Sequence, residues 1–67
     1  MNLEHFSTKQ QSIITALSKG PLTSIEILKK VESIPMILKL YTVLDELNEK
    51  GIVKSYMERE TKYHYIA

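Results

Sequence analysis

Residues 40–56, LYTVLDELNEKGIVKSY, change their hydrophobic period partway along. Leu40, Val43, Leu44 and Leu47 recur at helical spacing, whereas Ile52, Val53 and Tyr56 belong to a short β-branched and aromatic run. Between them stands Gly51, suited to the left-handed turn that ends a helix. The expectation is a helix that stops at Gly51 and feeds a strand. Its second half carries Asp45, Glu46 and Glu49, so its charge differs from end to end.

Downstream, "IVKSYM" and "KYHYIA" flank the charged "ERET", which predicts a β-hairpin over residues 52–66. No Asn-Gly or Asp-Gly marks its turn, so a loop longer than two residues is expected near residues 58–61. Upstream, the same helix extends back over residues 35–50, with Pro35 at its first position and Met36 on the inward face beside Leu40. Ile37 lies at the margin of that face. "VESIP" connects it to an earlier helix that starts with the T-x-x-E pair Thr23 and Glu26, with Leu22 and Ile27 placed for a hydrophobic staple. Ile25, Leu28 and Val31 are assigned to its inward face, and Lys29 and Lys30 to water. A first helix, residues 7–18, has Ser7 and Gln10 as a capping pair and Ile13, Ile14 and Leu17 as its apolar face. Gly20 and Pro21 end it.

Sixty-seven residues hold one small domain, 1–67, near the lower limit for a self-sufficient core. Cysteine is absent, which excludes disulfides and thiolate metal sites among these residues and suits a cytoplasmic location. Residues 1–6 lack the basic and apolar order of a signal peptide. No apolar run approaches the roughly 18 residues of a membrane span. His5 and His64 stand far apart with no ligand cluster, so no metal is expected. Without a glycine-rich phosphate loop or a nucleophile–base–acid set, neither a cofactor nor enzymatic activity is expected. The net charge of +1 is too small to name a partner.

Three helices followed by a hairpin resemble the winged helix-turn-helix domain, an α+β fold, with a very short third strand, if present, near Pro21 and Leu22. The stretch is similar to the DNA-binding half of ferric-uptake-regulator proteins. Tyr41, Leu44, Leu47, Gly51, Ile52 and Val53 occupy corresponding places, and Tyr63-His64-Tyr65 matches that family's Tyr-x-apolar ending. Thr42 replaces the arginine that follows the tyrosine in that family. The metal-binding and dimerisation half has no counterpart, so iron sensing is not implied.

The resemblance implies double-stranded DNA as partner, with residues 35–50 in the major groove and 52–66 as the wing. Lys39, Tyr41 and Thr42, in the helix's N-terminal part, are the candidate base and groove contacts. Lys54, Arg59 and Lys62 are candidate wing contacts, with a charged edge that discourages aggregation as the alternative role. Thr23 and Ser24 could meet a phosphate, although capping accounts for Thr23. Tyr56, Tyr63 and Tyr65 suggest stacking on bases, but Tyr63 and Tyr65 are expected instead to cover the helices or to pair across strands with Tyr56. Leu38, a leucine on the outward face, favours the alternative partner, another protein. A homodimer through Leu3, Phe6 and the first helix is expected.

Overall fold

In the computed structural model, which describes residues 5–67, the chain forms α1 (Thr8–Leu17), β1 (Leu22–Thr23), α2 (Ser24–Lys30), α3 (Ile37–Glu49), β2 (Val53–Glu58) and β3 (Thr61–Ile66). The three strands make one antiparallel sheet in the order β1-β3-β2. Leu22 lies opposite His64, Val53 opposite Ile66, and Glu58 opposite Thr61. This is an α+β winged helix, and the short third strand falls at Leu22 as expected.

Local chemistry sets the helix boundaries. The Ser7 hydroxyl accepts from the Gln10 N–H at 3.2 Å while the Gln10 side chain accepts from the Ser7 N–H at 2.9 Å. Thr23 and Glu26 repeat the same reciprocal bonds at 3.2 and 2.9 Å. Each box satisfies two amides that a helix start leaves without partners. Thr23 is also the last residue of β1, so this cap fixes how the sheet hands over to α2. At the far end of α3, Gly51 N–H donates to the Asn48 carbonyl and Ile52 N–H to the Leu47 carbonyl, both at 3.0 Å. Gly51 has φ 75°, the left-handed state that this double closure requires. Ile52 then lies against the core as the chain turns into β2.

The core is continuous. Ile13, Ile14 and Leu17 of α1 meet Ile27 of α2, Leu40, Val43, Leu44 and Leu47 of α3, and Val53 of β2. In α2 the buried positions are Ile27 and, at the cap, Val31, with Leu28 half-buried; Ile25 is 54% exposed, contrary to expectation. At about 100° per residue, Ile25 lies on the far side of the helix from Ile27. Pro35 and Met36 also depart from the expected pattern. Met36 is the extended N-cap (φ −124°, ψ 137°) and Ile37 the first helical residue, so Pro35 precedes the cap. Met36 is therefore off the helical period and 62% exposed. Ile34, in the connector, is fully buried in its place.

The hairpin turn is tighter than its sequence suggests. Glu58 pairs with Thr61, so Arg59 and Glu60 alone join the strands. Both have positive φ, 51° and 66°, as a two-residue type I′ connection demands. Neither is asparagine or glycine, so the turn is held by the ladder behind it, including a Tyr56–Tyr63 ring stack at 5.5 Å.

Candidate nucleic-acid interface

The first two turns of α3 face solvent because their neighbours face the core. Leu40 is fully buried, which leaves Leu38, Lys39, Tyr41 and Thr42 outward and exposed. The Thr42 hydroxyl donates to the Leu38 carbonyl at 3.2 Å. Toward a ligand it therefore offers an acceptor oxygen and a methyl group rather than a donor. Met36 supplies no side-chain cap, so the first amides of α3 have no hydroxyl or carboxylate of their own N-cap residue on them. The carboxylates come later. Asp45, Glu46 and Glu49 are exposed on the second half of the helix, and Glu46 accepts a long bond, 3.5 Å, from the Gln10 amide.

Strand alternation sorts the wing residues into two faces. Val53 and His64 are buried and Ile66 packs against the core, so odd positions of β2 and even positions of β3 face the helices. Lys62 belongs to this inner face. With Asp45, Asn48, Ser55 and His64 it lines a cleft of about 240 Å³ between α3 and the wing. Lys54 belongs to the outer face, opposite Tyr65. Arg59 is at the exposed tip. The hairpin thus places Lys54 and Lys62 on opposite faces, and only Lys62 shares a side with α3.

Tyr56, Tyr63 and Tyr65 also occupy the outer face, where Tyr56 stacks on Tyr63 and meets Tyr65 at a tilt, pairing across the strands rather than covering the helices. Tyr56 lies 5.5 Å from Tyr63, with planes 18° apart, and 5.7 Å from Tyr65. The inward residue of Tyr63-His64-Tyr65 is the histidine, whose role the sequence reading missed. His64 Nε2 lies 3.0 Å from the Ser24 hydroxyl and joins the start of α2 to the middle of the sheet. Burial pushes its imidazole below the usual histidine range, and the nearby Lys62 ammonium pushes the same way. Parity held the signal: a strand that turns Ile66 inward turns residue 64 inward too. The Ser24 hydroxyl is thus engaged within the fold, and the Thr23 hydroxyl caps α2.

Phe6 is half-buried against the core, with the Lys50 ammonium 5.3 Å from its ring centre. Leu3, expected beside it, lies outside the described residues. No helix among the described residues is long and apolar enough to cross a membrane.

No family model and no curated protein sequence matches this chain. Solved structures share its architecture. RosR from H. salinarum superposes with a TM-score of 0.83 at 21% identity, covering 98% of this chain and 64% of its own. RosR in its S4 complex gives 0.82 at 22%, covering 96% and 60%. Diamide-treated YodB from B. subtilis gives 0.83 at 24%, covering 97% and 64%. At such identities the likeness establishes the winged-helix fold. The chain spans less than two thirds of the length of each of these structures.

Proposed function

We propose that this domain binds double-stranded DNA sequence-specifically and acts in transcriptional control. In this reading α3 enters the major groove and the hairpin tip lies on the backbone or in the adjoining minor groove. The observation that carries it is the outward face of α3 over its first two turns. Lys39, Tyr41 and Thr42 are presented on a rigid helix whose carboxylates begin only at Asp45. Thr42 serves as an acceptor for adenine N6 or cytosine N4, and its methyl meets thymine. The α3 N-terminus favours a phosphate at its free amides. Arg59 and Lys62 supply backbone contacts; Lys54, turned away from α3, is left out of this set. The positions shared with ferric-uptake regulators are mainly those that fold the domain: Leu44, Leu47 and Val53 are buried, and Gly51 closes α3. They support the scaffold and add no signal specificity. The functional unit is proposed to be a homodimer.

A second reading, docking on a partner protein, is favoured by the exposed apolar side chains. Leu38 is 69% exposed, and Met36, Ile25 and Tyr41 are exposed as well. Fluorescence anisotropy separates the two. A duplex selected from a random library should bind the wild-type chain at low salt, with affinity falling steeply as salt rises. Failure to bind below about 100 μM, weaker than ordinary non-specific association, would reject the DNA reading and leave the protein one.

A further inference from the structure

The geometry points to a self-association surface separate from the outward face of α3, although it runs up to the wing tip: the free edge of β2, which pairs with the same edge of a second copy of this chain. Among the described residues, β2 is an outer strand of the sheet and is bonded to β3 alone. The direction of its backbone groups follows from two bonds. Ala67 N–H donates to the Ile52 carbonyl on the β3 side, and the Asn48 amide donates to the Val53 carbonyl from α3. Even-numbered residues of β2 therefore turn their N–H and C=O toward β3, and odd-numbered ones turn theirs to the open edge. Val53 is capped there by Asn48, so Ser55 and Met57 present the unpaired backbone groups. Two such edges can meet antiparallel about a two-fold axis through Tyr56. That register sets Ser55 against Met57 of the other copy, twice, in about four backbone hydrogen bonds.

The side chains favour this register. On the outer face, Lys54 of each copy falls opposite Glu58 of the other, and the two Tyr56 rings meet at the axis. Opposite charges in cross-strand positions attract, and tyrosine pairs add contact area. Within one chain the two charges cannot satisfy each other. They stand four residues apart along one strand, about 13 Å, and their β3 partners are Tyr65 and Thr61. The exposed apolar residues of β2, Tyr56 at 40% and Met57 at 65%, both fall within the paired segment. Phe6, by contrast, already packs on its own core, so the β2 edge is favoured over the N-terminal surface. The segment is short, which makes the dimer a weak one.

The test uses the full chain in sedimentation velocity from about 10 to 500 μM, a span suited to a small interface. K54E and E58K should each convert dimer to monomer, because each sets like charges opposite one another. The double variant K54E/E58K restores opposite signs across the axis and should restore the dimer. Ser55→Pro gives an independent check. It removes an N–H that points to the open edge and leaves the β3 ladder intact, so it should abolish the dimer while circular dichroism and melting stay close to wild type. A wild-type monomer throughout, a dimer insensitive to the single swaps, or a double swap that stays monomeric overturns the proposal. DNA binding is read separately by anisotropy, so failure of one reading leaves the other measurable.

Discussion

At the scale of single residues, two polar side chains hold the junction between sheet and helix. The Thr23 hydroxyl sits 3.2 Å from the Glu26 amide, and the backbone and hydroxyl of Thr23 in turn lower the Glu26 carboxyl's pKa. Replacing Thr23 by alanine should cost about 1 kcal/mol of unfolding free energy, measured as a shifted midpoint in urea. DNA affinity per folded molecule should not change; weaker binding at an unchanged midpoint would instead make Thr23 a ligand contact. His64 adds a pH dependence. Its folded pKa lies below the ordinary value near 6.5, so as pH falls the unfolded chain takes up the proton first. Its contribution is fully present above about pH 6.5 and declines below that, toward the depressed folded value. Lys62 opposes protonation, while Asp45 lines the same cleft. The melting temperature of wild type should drop between pH 7 and 5, and His64→Gln should flatten that slope. An equal slope in the variant would place the titration elsewhere. Glu26 acts at lower pH, its stabilisation being lost as pH falls through its lowered folded value.

At the scale of elements, the hairpin balances a strained turn against a well-paired ladder. Arg59 and Glu60 both adopt positive φ, a state costing roughly 1–2 kcal/mol for an L-residue. Glycine at position 60 relieves that strain but adds about 0.4–1 kcal/mol of unfolded-state freedom. Glu60→Gly should therefore stabilise the chain by about 0.5–1 kcal/mol in urea melts; a loss would mean that Glu60 makes an unrecognised contact. The turn also marks where the sequence stops being legible. The Ser7–Gln10 and Thr23–Glu26 caps could be read directly because each motif lies within four residues. The buried face of α3 was legible as well, since its 13 residues fix the helical phase. Its complement, Leu38, Lys39, Tyr41 and Thr42, followed from that phase. The phase of α2 was not legible, because seven residues with apolar groups at 25, 27 and 28 fit more than one face. The inward turn of His64, the burial of Ile34 and the separation of Lys54 from Lys62 depend on strand register and on contacts distant in sequence. Local propensity does not encode those. Nor does it foresee a two-residue turn built from arginine and glutamate, which the ladder imposes.

At the scale of the whole molecule, nine Lys and Arg against eight Asp and Glu leave a net charge of only +1, so the proposed DNA contact rests on where individual cations lie. Lys39 stands on the outward face of α3, Arg59 at the wing tip and Lys62 on the wing's inner face beside Asp45. If α3 lies in the major groove, Arg59 reaches a phosphate or the narrow groove and carries no base information. Arg59→Ala should then weaken binding to all duplexes alike and make the slope of log affinity against log salt shallower by about 0.9, one phosphate's worth. Thr42→Ala acts differently. In the proposed docking it removes an acceptor offered to a base edge, so it should relax preference at one base pair by about 1–3 kcal/mol and leave the salt slope unchanged. Asp45→Asn removes a negative charge that shares a cleft with Lys62. It should tighten binding slightly at low salt, and the gain should fade as salt screens the site. All three are measured by anisotropy on a selected duplex and a scrambled one over a salt series. An Arg59→Ala slope equal to wild type would take Arg59 off the backbone and leave Lys62 as the wing's contact. A Thr42→Ala loss equal on both duplexes would take that residue off the bases, leaving any base readout by α3 to Lys39 and Tyr41.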